Sequence, residues 1–419
     1  MNKYKIFIGL KIFGLTFLLV LLIILAYRAI ILTPSVWLKS IAGKQTFGMA
    51  VHISSHPGKN GYYLVTAKEG KVYLFQEGSE IKKTILDMVS EVKSNTLEEG
   101  MLSAIIDPQN LKDIYIYYSM NKIDPRTNRL SRFKLDKDEN VTRESEEVLF
   151  ELTKPDNSHN GGNMQFGPDG LFYLGLGDAS SVSGEIPSKL DSSLWGSIIR
   201  IDVRKRENGK QYSIPKDNPF NGHESIPPEV WAYGFRNPWR WSFVDKNIII
   251  VGDIGNNTHE EVSIVKKGDH HGWPYVEGGK CSDHHKNCDL KKYKPPMTYF
   301  SRMVSRSLIG GYVYRGSKID DLKGKYVFGD YLRGMMTLPY PDAPKFVKNI
   351  NDAALKIIFP KIPINFGPDK GRTIHPVSFL EDENNELLMV ALNGGVFRII
   401  PIDFWTKFRA FFYMYGNFK

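Results

Sequence analysis

His159-Asn-Gly-Gly-Asn-Met-Gln-Phe-Gly-Pro-Asp-Gly-Leu-Phe-Tyr-Leu-Gly-Leu-Gly-Asp178 is the stretch on which the reading of this chain turns. Gly167-Pro-Asp-Gly170 carries the residues of a tight turn, and the segments on either side read as the two antiparallel strands of one hairpin. Folding back at that turn makes neighbours of His159 and Asp178, which stand at its two ends. A carboxylate on one imidazole nitrogen fixes the tautomer and raises the basicity of the other, which is the construction of a general base. The plainer alternative is a histidine that caps a strand end and an aspartate that binds turn amides.

Working outward, a Pro/Asp/Gly/Asn turn followed by an apolar strand and then a second strand recurs six times. The pairs are residues 62–66 with 71–75, 113–118 with 129–135, 171–176 with 197–203, 248–251 with 261–265, 325–329 with 335–338, and 387–391 with 395–400. A further apolar strand precedes most of the turns, as at 101–106 and 376–380. Three to four strands per unit, repeated six times, predict an all-β fold, a six-bladed β-propeller over residues 45–402. The 37 Gly, 23 Pro and 12% aromatic residues suit short strands joined by tight turns rather than helices. The longest insertions fall in units three to five, and loops on a rigid scaffold are where chemistry sits, so the site is expected at the shared mouth of the ring.

The net charge of +9 is not accompanied by an Arg-rich helix or an aromatic RNA-binding signature, so no nucleic-acid partner is expected. A basic exterior facing anionic lipid fits better. Lys3, Lys5 and Lys11 lead into an apolar run at 12–27, so residues 1–33 are expected to be a transmembrane helix or signal anchor that places the rest outside the cytoplasm, periplasmic or at the cell surface. A cleaved signal peptide is the rival, but no Ala-x-Ala site follows the run. Residues 403–419 are aromatic and basic, the pattern of an interfacial membrane-binding helix or of a tail packed on the protein's own rim. The two cysteines, Cys281 and Cys288, are expected to close a surface loop as a disulfide. A metal site shared with His284 and His285 is the minor reading, because four ligands in so few residues give poor tetrahedral geometry.

Two further segments carry unusual polar residues. In Trp231-Ala-Tyr-Gly-Phe-Arg-Asn-Pro238 a proline removes a ladder donor and pushes Asn237 into extended geometry beside Arg236, whose fork suits an anion or a quinone oxygen. An arginine stacked on Trp239 or Trp241 to close a blade is the structural alternative. In Gly252-Asp-Ile-Gly-Asn-Asn-Thr-His-Glu-Glu261, glycine-freed carbonyls stand beside carboxylates, the oxygen donors that hard cations take.

In this order the segments resemble the glucose/sorbosone dehydrogenase family, soluble aldose-sugar dehydrogenases that use pyrroloquinoline quinone (PQQ). The resemblance runs over about residues 45–400 and also rests on His271-Gly-Trp-Pro274, Gly310-Gly-Tyr-Val-Tyr-Arg-Gly316 and Gly329-Asp-Tyr331. It implies PQQ-dependent oxidation of an aldose at C1 to the lactone, with electrons passed to an external acceptor. His159 matches the base that takes the proton of the anomeric hydroxyl, and Asp178 the carboxylate that orients it. Arg236 and Asn237 match residues that contact the cofactor, and the carbonyls of Gly255 and Asn256 match ligands of the Ca²⁺ that polarises PQQ. Glu98 stands where the family often has a glutamine near the cofactor, and Arg306, Arg333 and Arg372 lie in the regions expected to supply basic partners for PQQ's carboxylates. Two other readings stay open: a non-catalytic carbohydrate- or protein-binding propeller similar to the hedgehog-interacting-protein branch of the superfamily, and a Ca²⁺-dependent lactonase.

Overall fold

Each of the six turn-and-strand units becomes an antiparallel meander, and the reason lies in how its strands are buried. Met101–Asp107 is buried at every position and Tyr62–Ala67 at all but the first, so these strands read as near-continuous apolar runs rather than alternating ones. Such strands are covered on both faces. A propeller supplies that cover by stacking blade on blade around an axis.

The computed structural model describes residues 35–121, 125–179, 193–283, 285–349, 352, 354–360, 363–364 and 372–403. Blade one comprises Ala50–Ser55, Tyr62–Ala67, Lys71–Gln76 and Lys82–Asp87; blade two Met101–Asp107, Asn110–Ser119, Arg126–Leu135 and Val141–Lys154. Blade three comprises Met164–Phe166, Phe172–Leu176, Ser197–Ile201 and Val230–Tyr233. Blade four is built from Pro238–Asp245, Ile248–Asp253, His259–Lys266 and Thr298–Ser301, with the short strand Phe346–Val347 added in parallel at its edge. Blade five holds Leu308–Val313, Lys325–Asp330, Gly334–Pro339 and Lys356–Pro360. Blade six holds Pro376–Glu381, Leu387–Ala391 and Val396–Pro401, and its fourth strand is Val36–Ser40 from the other end of the chain. Joining the two ends of the chain in one blade closes the ring.

The expected all-β six-bladed propeller is therefore the fold, and each repeat identified in the sequence lies in its own blade. The expected span of 45–402 left out Val36–Ser40, a five-residue strand whose burial alternates too briefly to register as a pattern. Also unpredicted was Val141–Lys154, whose largely exposed and half-buried positions carry Thr, Arg and Glu and read as loop. Leu38–Ile399 forms one compact unit, and Met1–Trp37 with Ile400–Lys419 is assigned to another. The anchor expected over 1–33 lies outside the described residues, as does the tail from 404 onward. Among the described residues no helix is long and apolar enough to cross a membrane. Cys281 and Cys288 form the expected disulfide, which removes the thiolate metal alternative.

Cores form where neighbouring blades face each other. Leu64, Val72, Met101 and Ile116 join blades one and two, and Phe47 and Tyr63 pack with Leu388 and Val390 across the closure between blades six and one. The innermost strands of blades four and five approach so closely that Gly310, with φ +93°, has room for no side chain: a Cβ there would lie 2.2 Å from the carbonyl oxygen of Arg240. Gly310→Ala should therefore lower the unfolding free energy by about 2 kcal/mol or more in denaturant titration, whereas wild-type stability in the variant would contradict this packing.

Candidate active site

Because the innermost strand of every blade enters from the same end of the ring, the loops that precede these strands converge there on the axis. His159 lies on the loop from blade two into Met164–Phe166, in a left-handed conformation with φ +50°. Its main-chain N–H donates to Glu98 Oε2 at 2.6 Å. Gly177 permits the approach from the other side, since a Cβ at that position would fall 2.1 Å from the His159 carbonyl oxygen. The hairpin thus brings the imidazole to Asp178 with Nδ1 and Oδ1 2.6 Å apart, both side chains buried. Asp178 Oδ2 accepts the indole N–H of Trp273 at 2.8 Å, and the Asp178 amide donates to the Arg236 carbonyl at 2.8 Å. With Nδ1 given to the carboxylate, Nε2 is the ring nitrogen left for a substrate, and no described group hydrogen-bonds it.

Arg236 and Asn237 precede Pro238, which opens the innermost strand of blade four where no ladder donor is needed. Asp253 holds this turn from below, taking the Asn237 amide on Oδ1 at 2.7 Å and the Arg236 amide on Oδ2 at 3.0 Å. Asn237 Oδ1 then accepts from the Gly161 amide at 3.1 Å, which ties blade four to the His159 loop. The guanidinium of Arg236 lies over the Trp273 ring, 5.6 Å from its centroid, and Nη1 donates to the carbonyls of Ile254 and Gly255, both at 2.9 Å. Stacking on Trp239 belongs instead to Arg240, 4.1 Å from that ring. The amide of Asn256 donates to Glu277 Oε1 at 2.8 Å, so Glu277 fixes the loop that presents the two candidate carbonyls.

The structure brings His159, Asp178, Arg236, Asn237, Glu98 and Gly255 into one hydrogen-bonded neighbourhood, with Asn256 next along the chain. Arg333 donates to the Met303 carbonyl, 2.6 Å away on the connection from blade four to blade five. Arg306 bonds the Arg302 carbonyl. The side chain of Arg372, on the short strand Arg372–Thr373, lies outside the described residues. Trp273, Asp253 and Glu277 were missed as site residues. Trp273 stood within a quoted motif, but nothing in its spacing announces an indole reaching an aspartate 95 positions away.

Acidic groups dominate the electrostatics. Burial pushes the Asp253 carboxyl up to about 6, against the two amides and the Arg236 charge. Burial, with Asp253 and Glu277 nearby, pushes Glu261 to about 8. Oxygen donors beside uncompensated carboxylates suit a hard dication, whose charge would offset theirs. Among the described residues no three His, Cys, Asp or Glu side chains are grouped to hold a metal, so the main-chain carbonyls of Gly255 and Asn256 are the donors to consider. For an anionic quinone Arg236 is a candidate cation, and the buried ammonium of Lys154, which donates to Asn160 Oδ1, lies beside the His159 loop.

The propeller thus carries an axial His–carboxylate pair beside an arginine and an oxygen-rich loop. The chain matches the glucose/sorbosone dehydrogenase family profile over residues 49–336, more than half its length, and belongs to that family. The HIPL2 protein of Arabidopsis thaliana is 31% identical over 281 residues, 60% of this chain and 40% of that protein. Human hedgehog-interacting protein is 30% identical over 307 residues, 68% of this chain and 41% of that one. The chain therefore spans about two fifths of the length of these relatives. Among solved structures, the apo soluble aldose sugar dehydrogenase of Escherichia coli aligns with TM-score 0.66 at 19% identity, over 87% of this chain and 99% of that one. The PQQ-bound aldose sugar dehydrogenase of Streptomyces coelicolor aligns with TM-score 0.61 at 19% identity, over 88% and 99%. At these identities the structures share the fold.

Asp253 gives the site a measurable pH signature. Its carboxyl keeps a proton to about pH 6 when folded but has an ordinary value of 3.8. Its stabilising contribution is full below the lower value and is lost as pH rises through the higher, on the order of 3 kcal/mol in all. Unfolding free energy measured from about pH 4 to 7 should fall less steeply in Asp253→Asn than in the wild type; equal slopes would show that Asp253 does not hold this proton.

Proposed function

We propose that this chain oxidises an aldose at C1 to the lactone, with PQQ and Ca²⁺ as cofactors and an external electron acceptor. The observation that carries the reading is the His159–Asp178 pair at the axial mouth, with Nδ1 committed to the carboxylate and Nε2 facing no described partner. Asp178, itself held by Trp273, keeps the imidazole in the tautomer that can accept a proton at Nε2. His159 Nε2 takes the proton of the anomeric hydroxyl as the C1–O bond becomes a carbonyl and C1 loses hydride. In this reading Arg236 and Asn237 would contact the quinone, and the carbonyls of Gly255 and Asn256 would ligate the cation. When bound, PQQ supplies a hydride acceptor and Ca²⁺ a Lewis acid that helps it take up negative charge. The anchor proposed for residues 1–33 would hold the domain outside the cytoplasm, close to a membrane-borne acceptor.

A second reading has an observation of its own. Glu98 places a carboxylate on the amide of His159, beside a cofactor that is itself anionic, and Arg236 already engages the Gly255 carbonyl. Together with the kinship to hedgehog-interacting protein, this favours a propeller that binds a glycan or protein without chemistry.

Titration of the purified protein with PQQ and Ca²⁺ separates the two. The dehydrogenase reading expects a saturable change in the quinone absorbance and dye reduction on addition of an aldose. His159→Ala should keep the absorbance change and lose at least about 10²-fold in turnover. Absence of PQQ binding in the wild type would leave the non-catalytic reading standing.

A further inference from the structure

The loop that carries His159 leaves blade two at Lys154, the last residue of its outermost strand. From that root the Lys154 side chain reaches forward and donates from Nζ to Asn160 Oδ1, six positions on. It has no exposed surface, and its other partner is Glu99 Oε1 at 3.1 Å, on a carboxylate that is itself buried. Burial lowers the Lys154 pKa to about 8 against the pull of Glu99, so the amine still carries its charge at neutral pH. Asn160 is fully buried and uses its whole bonding capacity. Oδ1 also accepts from Asn128 Nδ2 at 3.0 Å, and Nδ2 donates to the carbonyls of Asn157 at 3.0 Å and Glu98 at 3.3 Å. The first of these carbonyls belongs to the loop, and the second to the segment whose Glu98 carboxylate takes the His159 amide.

We propose that Lys154 is a positioning residue for His159: its ammonium orients the Asn160 amide, and that amide fixes the loop on which the imidazole stands. Neutralising Glu99 does not require it. Arg126 Nη1 already donates to both Glu99 oxygens, at 3.0 and 2.9 Å, and Thr96 Oγ1 donates to one of them at 3.1 Å. A buried ion pair is costly, and an apolar side chain of similar volume would serve the stability of the fold as well or better. What Lys154 adds is a charge on Asn160. An ammonium has donors and no acceptor, so Asn160 can turn only its oxygen toward it, and its nitrogen must then face the carbonyls of Asn157 and Glu98. Asn128 could not impose that choice, because its own amide is free to turn over: its neighbours Ser119 Oγ and Tyr117 OH are hydroxyls that either donate or accept. With the Asn160 amide so oriented, Glu98 is held by its carbonyl while its carboxylate holds His159 in the left-handed conformation that reaches Asp178.

The proposal deepens the dehydrogenase reading, in which His159 is the base, but its test needs no quinone, so a failure of PQQ to bind would count against that reading alone. In proton NMR of the full chain, the low-field Nδ1–H resonance of the His159–Asp178 bond, assigned by its absence in His159→Gln, should be lost in Lys154→Met. Amide hydrogen exchange at His159 should quicken at least ~10-fold, while the core strands of the other blades keep wild-type protection. Asn160→Ala, which leaves the ion pair in place, should give the same losses. Adding Lys154→Met to it should then change exchange at His159 by less than about 2-fold, because both substitutions act through one amide. In the quinone-loaded protein Lys154→Met should lower turnover about 10–100-fold. A wild-type resonance and exchange rate in folded Lys154→Met, or in Asn160→Ala should the lysine variant not fold, would overturn the proposal, as would full additivity of the two substitutions.

Discussion

Two hydrogen bonds between neighbouring blades hold the site together: the Asp178 amide to the Arg236 carbonyl, and the Gly161 amide to Asn237 Oδ1. The second links the loop that presents the imidazole, and the first the segment that carries its carboxylate partner, to the turn that presents the guanidinium. The rest follows from that junction. His159 adopts a left-handed backbone only because Glu98 takes its amide and Gly177 leaves space for its carbonyl, and backbone strain of this kind persists where the surroundings over-determine it. The carboxylate of Asp178 then has one oxygen for the imidazole and one for the Trp273 indole, which leaves the ring little freedom to turn.

Charge is distributed unevenly along the axis. At the His159 end, Asp178, Asp253, Glu261, Glu277 and Glu98 cluster about Arg236, and burial raises two of these carboxyls, Asp253 and Glu261, well above their ordinary values. In the middle the imbalance reverses: Arg240 is buried among carbonyls, a hydroxyl and an indole ring, and burial brings its pKa down to about 9. A buried charge satisfied by dipoles alone is costly to maintain, and it persists here because the same side chain joins three blades across the axis. The ring thereby gains stiffness at its centre.

The fold was legible because every blade repeats one signature, a turn with fixed φ requirements followed by a strand buried on both faces. Among the elements that stayed hidden, two lack one half of it: Val36–Ser40 is too short, and Val141–Lys154 is too polar on its exposed side. Of the site, His159 and Asp178 were legible because a hairpin with an obvious turn brings its own ends together. Trp273, Asp253 and Glu277 were not, since their roles depend on how separate loops meet at the axis, and local patterning does not encode that. The Arg240 strut was hidden for the same reason, inside an aromatic run where arginine stacking was weighed only as the alternative to ligand contact by Arg236. Arg333 shows the reverse case, a basic residue in a suitable region whose guanidinium bonds a carbonyl on the connection from blade four to blade five.

The tautomer of His159 tests the central claim most directly. Nitrogen-15 NMR of the imidazole ring in the full chain, assigned by comparison with His159→Gln, distinguishes which nitrogen carries the proton in the neutral form. The geometry predicts a protonated Nδ1 bonded to Asp178 and an unprotonated Nε2, with the pattern lost in Asp178→Ala. A ring protonated on Nε2, or one unaffected by Asp178→Ala, would contradict the account.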